Sequence, residues 1–208
     1  MTVFYVDTSS NYLYTGIYRD KEMLAEKHVN LNHDLSTFAI AEIDKMFKEC
    51  DVDVKDVDKI MVVSGPGSFT GIRIGMTLAK VYAFMLKKDI ITITSLEAMN
   101  ASNEFKGLKV PIIDARRGYV YAAVYSKDKE VLEASYISLE KLKLVLLATK
   151  EKYIYITNDK FKDLDCVSYE PNIKNIIEEF IDRKAINPHL VEPTYFKLTE
   201  AEENLNKE

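Results

Sequence analysis

Two strand-end aspartates, one glycine-rich turn and three histidines are the features of this sequence whose residue types and spacing could do chemistry. The run Gly65-Pro66-Gly67-Ser68-Phe69-Thr70-Gly71, with Arg73 two residues on, stands where a strand passes into a helix. Glycines at such a turn point N–H groups outward, the helix N-terminus adds positive potential, and an arginine completes an anion cradle. The same residues suit a tight strand-to-helix turn that holds no ligand, and spacing alone leaves both readings open. It is not a Walker A loop, because the Gly-Lys-Ser/Thr ending is missing. Asp7, followed by Thr8, Ser9 and Ser10, and Asp114, followed by Ala115, Arg116, Arg117 and Gly118, each end a β-type run and lead through a turn into another. Such carboxylates organise Mg²⁺ and water beside phosphates. In the second turn, however, Ala115, Arg116 and Arg117 stand where close backbone approach to an anion needs small residues. His28, His33 and His189 include no pair at helical spacing, since residues five apart point about 140° away from each other on a helix. No metal centre, no Ser-His-Asp set and no cofactor is therefore expected.

The elements that must position these residues follow from periodicity. Residues 2–7, 12–18 and 23–29 are rich in β-branched and aromatic side chains and read as a three-strand meander. Leu35, Ala39, Ile43, Met46, Phe47 and Cys50 recur at steps of three or four, which predicts an amphipathic helix over 34–49 behind Asp34 as N-cap. A strand at 59–64, the glycine turn, a helix over 71–87, a strand at 90–94 and a short helix from Ser95 follow. The second half begins again with strands at 108–114, 119–125 and 131–137. A helix at 139–148, a strand at 153–157 and a helix at 173–183 complete it. Both halves open with adjoining strands and then add helices, so the chain reads as two related α/β units, residues 1–102 and 103–208.

The helix over 71–87 is apolar on two sides. Ile72, Met76, Ala79, Ala83 and Leu86 share one face, while Ile74, Leu78, Val81 and Met85 share the opposite one. A sheet covers only one of them, which leaves the other to the helix at 34–49 or to another chain. Gly75, Ala79 and Ala83 form a small-residue row that admits a second helix closely. On this reading a partner interface lies on Leu35, Ala39, Ile43, Gly75, Met76, Ala79, Lys80 and Ala83.

Composition narrows the class further. With 208 residues, 47% apolar and 29% charged, the chain is ordinary globular material. A net charge of -5 argues against binding nucleic acid through the chain's own electrostatics. No basic leader precedes an apolar run and no apolar run approaches about 18 residues, so a cytoplasmic protein without a membrane span is expected. Cys50 and Cys166 lie far apart and read as reduced structural thiols. The Lys/Glu-rich end, 201–208, reads as a solvated tail.

The Asp7-Thr8-Ser9 turn, the block GPGSFTGIRIG from Gly65 to Gly75, Thr94-Ser95-Leu96-Glu97-Ala98, the hairpin IDARRGYVYAAVY from Ile113, and Glu192-Pro193-Thr194-Tyr195-Phe196-Lys197 together resemble the TsaB (YeaZ) family. The similarity covers nearly the whole chain, and the central block is its most specific part. The paired aspartate turns also resemble the phosphate loops of the actin and sugar-kinase superfamily. The resemblance implies two tandem actin-like (RNase H-like) α/β domains. The second would be degenerate, because no glycine follows Gly118 where the superfamily's adenosine loop uses them. It implies a non-catalytic scaffold for threonylcarbamoyl transfer to adenosine 37 of tRNA, heterodimeric with catalytic TsaD and joined by the ATPase TsaE. It further implies tRNA contact only through that complex and a homodimer when the chain is alone. Gly65, Pro66, Gly67, Ser68, Phe69, Thr70, Gly71 and Arg73 would then be a family signature turn and not a catalytic centre. The histidine pair four apart that holds the metal in TsaD has no counterpart. Phe196-Lys197 departs from the family's Leu-Arg type pair, and the C-terminal half is short. The alternative is an enzyme, either an ATP-dependent kinase-like protein or, following an older family label, a peptidase.

Overall fold

The computed structural model describes residues 1–127 and 129–197, and the charged end at 201–208 lies outside the described residues. Two compact units are present: Met1–Glu104 with Glu170–Pro193, and Phe105–Tyr169 with the chain from Thr194.

In the first unit, β1 (Thr2–Asp7), β2 (Tyr12–Arg19) and β3 (Glu22–Asn30) form an antiparallel meander. β4 (Lys59–Val63) and β5 (Ile90–Ile93) then add in parallel, giving the order β3-β2-β1-β4-β5. Every residue of central β1 is buried, as a strand covered on both faces requires, whereas edge strand β3 alternates between exposed and half-buried residues. The period of two sends Phe4, Val6, Ile60 and Val62 to one face. There α1 (Leu35–Glu49) and α2 (Phe69–Leu86) supply Ala39, Ile43, Met46, Ile72, Met76, Ala79 and Ala83. Val3, Tyr5, Met61, Val63, Ile91 and Ile93 point the other way, onto α3 (Ser95–Ala101) and α5 (Ile173–Phe180). Lys27 Nζ, 3.0 Å from a Glu49 carboxylate oxygen, ties β3 to α1. Asp34 stands at the N-cap of α1 without a side-chain hydrogen bond.

The expected boundary near residue 102 needs correction at its far side. Ile173, Ile176, Ile177 and Phe180 of α5 complete the second face of the first sheet, so residues 170–193 belong with the first unit. The Asn172 N–H donates to Ser102 Oγ at 3.0 Å, so the chain leaves and re-enters this unit at neighbouring points.

In the second unit, β6 (Leu108–Asp114), β7 (Tyr119–Tyr125) and β8 (Glu130–Ser138) form the meander. β9 (Tyr153–Ile156) and β10 (Cys166–Val167) add in parallel, and the order β10-β9-β6-β7-β8 repeats that of the first sheet. α4 (Leu139–Thr149) packs Leu142 and Leu146 on Val110, Ile112, Val120, Ala122 and Val124. The repeat is topological, and it gives two tandem actin-like (RNase H-like) units. α2 differs from the expectation about apolar length: its 18 residues are, by length and composition alone, long and apolar enough to cross a bilayer. Seven of them, from Gly71 to Ala83, are buried within the first unit.

Candidate functional site

The glycine turn between β4 and α2 is stitched to its surroundings by backbone groups. Ser68 caps α2, its Oγ accepting from the Gly71 N–H at 3.2 Å. The Ser68 N–H donates to the Ser9 carbonyl at 2.7 Å, and Thr8 Oγ1 donates to the Gly71 carbonyl at 2.7 Å. From α3, Ser95 donates its N–H to the Gly65 carbonyl at 2.9 Å and its hydroxyl to the Pro66 carbonyl at 2.6 Å. A Cβ on Gly67 would strike the Ser9 carbonyl oxygen, one on Gly71 the Thr8 carbonyl oxygen, and one on Gly75 the Thr8 hydroxyl. These glycines exist because the Asp7-Thr8-Ser9 turn lies directly on the first turns of α2. Of the two readings open from spacing, this is the geometry of a packed strand-to-helix turn. Arg73, exposed on α2, sits 3.8 Å over the Phe69 ring.

Asp7 is buried, and its Oδ1 accepts the Ser9 N–H at 2.7 Å. Burial pushes its carboxyl above the ordinary 3.8, and the Ser9 hydrogen bonds offset part of that rise. Burial likewise raises the Tyr14 phenol, with the charge of Asp7 adding to it. In the second unit the matching turn has a different character. Arg116, Arg117 and Gly118 are three successive residues with positive φ, at 66°, 56° and 78°. Asp114 Oδ1 accepts the Arg116 N–H at 2.8 Å, and Asp159 Oδ2 accepts the Asp114 N–H at 2.7 Å, which holds the turn in that shape. Both arginine side chains are exposed, and neither is in an ion pair among the described residues.

The segment Thr94 to Ala98 is an anchoring device. Thr94 and Glu97 form a capping box on α3. Glu97 also receives both arms of Arg183, at 2.6 and 3.2 Å, and the same guanidinium donates to the Thr92 carbonyl at 3.0 Å. Burial pushes the Glu97 carboxyl up, but Arg183 and Thr94 together outweigh it and hold the group below its ordinary 4.5. No three of the His, Cys, Asp and Glu residues described are grouped to hold a metal; His28 packs edge-on against Tyr14 and His189 against Phe84.

The residues expected at a partner interface lie elsewhere than expected. Leu35, Ala39, Ile43, Gly75, Met76, Ala79 and Ala83 are buried within this one chain, and Lys80 is half-buried. The small row is internal because Gly75 meets Thr8 and because Ala79 and Ala83 let α2 lie close on the sheet and α1. Of the opposite face, Leu78 is buried and Ile74 half-buried, while Val81 and Met85 are 51% and 73% exposed. Phe84 is 69% exposed on the same helix, and Phe69 at its start and Phe38 and Ile40 on α1 are exposed as well. Phe84 and Phe38 were not singled out from the sequence, because neither falls in the periodic apolar sets that were read there.

A chain of two tandem actin-like units, with the turn of the first packed by its own backbone, falls among the actin-like α/β proteins. The model of the family described as TsaD, tRNA N6-adenosine threonylcarbamoyltransferase, matches residues 32–192. The tRNA threonylcarbamoyladenosine biosynthesis protein TsaB of Bacillus subtilis (strain 168) is 40% identical over 134 residues, 64% of this chain. That match spans only 58% of the relative's own length. The protein of the same name from Buchnera aphidicola (Schizaphis graminum) is 26% identical over 188 residues, 83% of this chain and 89% of the relative. YeaZ from Pseudomonas aeruginosa superposes with a TM-score of 0.73 at 17% identity, over 93% of this chain and 100% of that one, which shows a shared fold. The chain belongs to the TsaD family.

Proposed function

We propose that this chain is a non-catalytic scaffold subunit in the biosynthesis of threonylcarbamoyladenosine in tRNA, pairing in the cytoplasm with catalytic TsaD and joined by TsaE. The observation that carries this reading is the outward surface of α2 and α1, where Phe38, Val81, Phe84 and Met85 lie exposed on helices whose inner faces are fully packed. Covering each such side chain returns about 1.5–3 kcal/mol, so the surface favours a partner helix pair. The family and the names of its relatives support TsaD as that partner. When the chain is alone, the same surface pairs two copies about a two-fold axis.

The reading is tested by co-purification with TsaD and by tRNA modification assayed with and without this chain. Val81→Asp combined with Met85→Asp is expected to stay folded by circular dichroism, to lose TsaD and to stop modification. Calorimetry with Mg-ATP on the isolated chain is expected to show no binding. Micromolar binding with steady hydrolysis would overturn the scaffold in favour of the kinase-like enzyme.

A further inference from the structure

The face of the second sheet turned away from α4 carries an aromatic surface of its own. Along β7, Val120, Ala122 and Val124 enter the core with α4, so Tyr119 and Tyr121 project from the other side. Tyr136 on β8 is the direct cross-strand partner of Tyr121. Its ring stacks on that of Tyr119 with centroids 4.7 Å apart and planes 9° from parallel, and lies 5.7 Å from Tyr121. Phe196 borders Tyr121 at 6.3 Å, and Lys197 Nζ lies 5.8 Å from the centre of the Tyr136 ring. Arg116 and Arg117 end one residue before Tyr119, exposed and without an ion pair among the described residues.

A cross-strand aromatic pair stabilises a hairpin by roughly 0.2–1 kcal/mol, and that accounts for Tyr121 with Tyr136. Tyr119, stacked diagonally on Tyr136, also keeps 40% of its surface in solvent beside two cations held by left-handed backbone. Aromatic rings that reach solvent on neighbouring strands at the end of a sheet, bordered by cations, are the chemistry that takes unpaired bases with their phosphates. A duplex keeps its base faces stacked inside and cannot use them. An acidic peptide needs only the charges and gains nothing from parallel rings.

We propose that Tyr119, Tyr121 and Tyr136, flanked by Arg116, Arg117 and Lys197, form a stacking platform for a single-stranded stretch of RNA. The proposal rests on the functional reading above only for which RNA is met, namely a tRNA loop. The chain's net charge of -5 is compatible with it, because stacking carries the contact and three local cations serve the phosphates. Those three cations set a shallow salt dependence, with a log–log slope of about -2.

The test is fluorescence anisotropy of the full chain with a short labelled single-stranded RNA, against the same strand annealed to its complement. Binding of the single strand in preference to the duplex is expected. Tyr119→Ala should weaken it about tenfold or more while Tyr119→Phe retains it. Arg116→Ala with Arg117→Ala should weaken it and flatten the salt slope by about 1 to 2. Circular dichroism checks each fold, and Tyr119→Leu replaces the alanine variant if that one unfolds. Equal affinity for duplex, unchanged affinity in the Tyr119 variants, no binding at all, or preferential binding of an acidic phosphopeptide would each overturn the platform. These outcomes leave the scaffold reading standing, whereas failure to co-purify with TsaD would sink the scaffold and leave RNA binding by the chain alone intact.

Discussion

At the scale of single residues, a buried carboxyl and a half-buried ion pair respond to pH in opposite directions. The raised value of Asp7 means that the folded chain loses stability as pH climbs from the ordinary 3.8 through the folded value. Asp7→Asn keeps an acceptor for the Ser9 N–H and removes that loss. Urea denaturation should therefore show no gain at the lowest pH and a stabilisation that grows as pH rises through the folded value. Glu97 is the reverse case, because Arg183 and Thr94 hold its folded value below 4.5. Its contribution is present above the unfolded value and lost as pH falls through the folded one. Glu97→Gln should cost about 1–2 kcal/mol at neutral pH, discounted for the solvent that reaches the pair, and the deficit should close in acid. Sequence reading found the Asp7 turn from its strand-ending position. The Glu97–Arg183 pair was not legible, because its partners lie 86 residues apart and each alone reads as a surface charge.

At the scale of elements, α2 shows what periodicity can and cannot settle. The 3.6-residue repeat separated two apolar faces, although Leu78 and Ile74 of the outer set also pack on the core, and the repeat carries no information on which face meets the sheet. The small row turned inward because the Asp7 turn and the sheet approach α2 more closely than a larger residue allows. Ala79→Arg should consequently force a charge into a filled core and unfold the chain, read as loss of the cooperative thermal transition. Val81→Arg, on the opposite side, should leave the transition within about 0.5 kcal/mol of the parent. The glycine block was legible as a strand-to-helix turn, but its occupant was not, since Thr8 and Ser9 come from the turn between β1 and β2, and Thr8 lies 63 residues from Gly71. The two-residue β10 carries no period at all and was missed for that reason.

At the scale of the whole molecule, the repeated strand order was visible as two successive meanders, each followed by a helix and a parallel strand. The return of α5 to the first unit was not, because Ile173, Ile176, Ile177 and Phe180 present the same amphipathic pattern to whichever sheet they meet. Residues 105–169 are thus an insertion between points joined by the Asn172–Ser102 hydrogen bond. Replacing them with a short Gly/Ser linker and ending the chain at 193 should leave a folded first unit, whereas residues 1–104 alone should expose Val3, Tyr5 and Met61 and aggregate. Light scattering and circular dichroism on the two chains decide this. The same hydrogen bond also fixes an order in time. A ribosome must polymerise residues 105–169 before Asn172 can reach Ser102, which at about 5–20 residues per second takes roughly 3–13 s. Throughout that interval the part of the first sheet that α5 will cover stays open for nascent-chain chaperones to hold, and the unit begun second is nearly whole before the unit begun first can close.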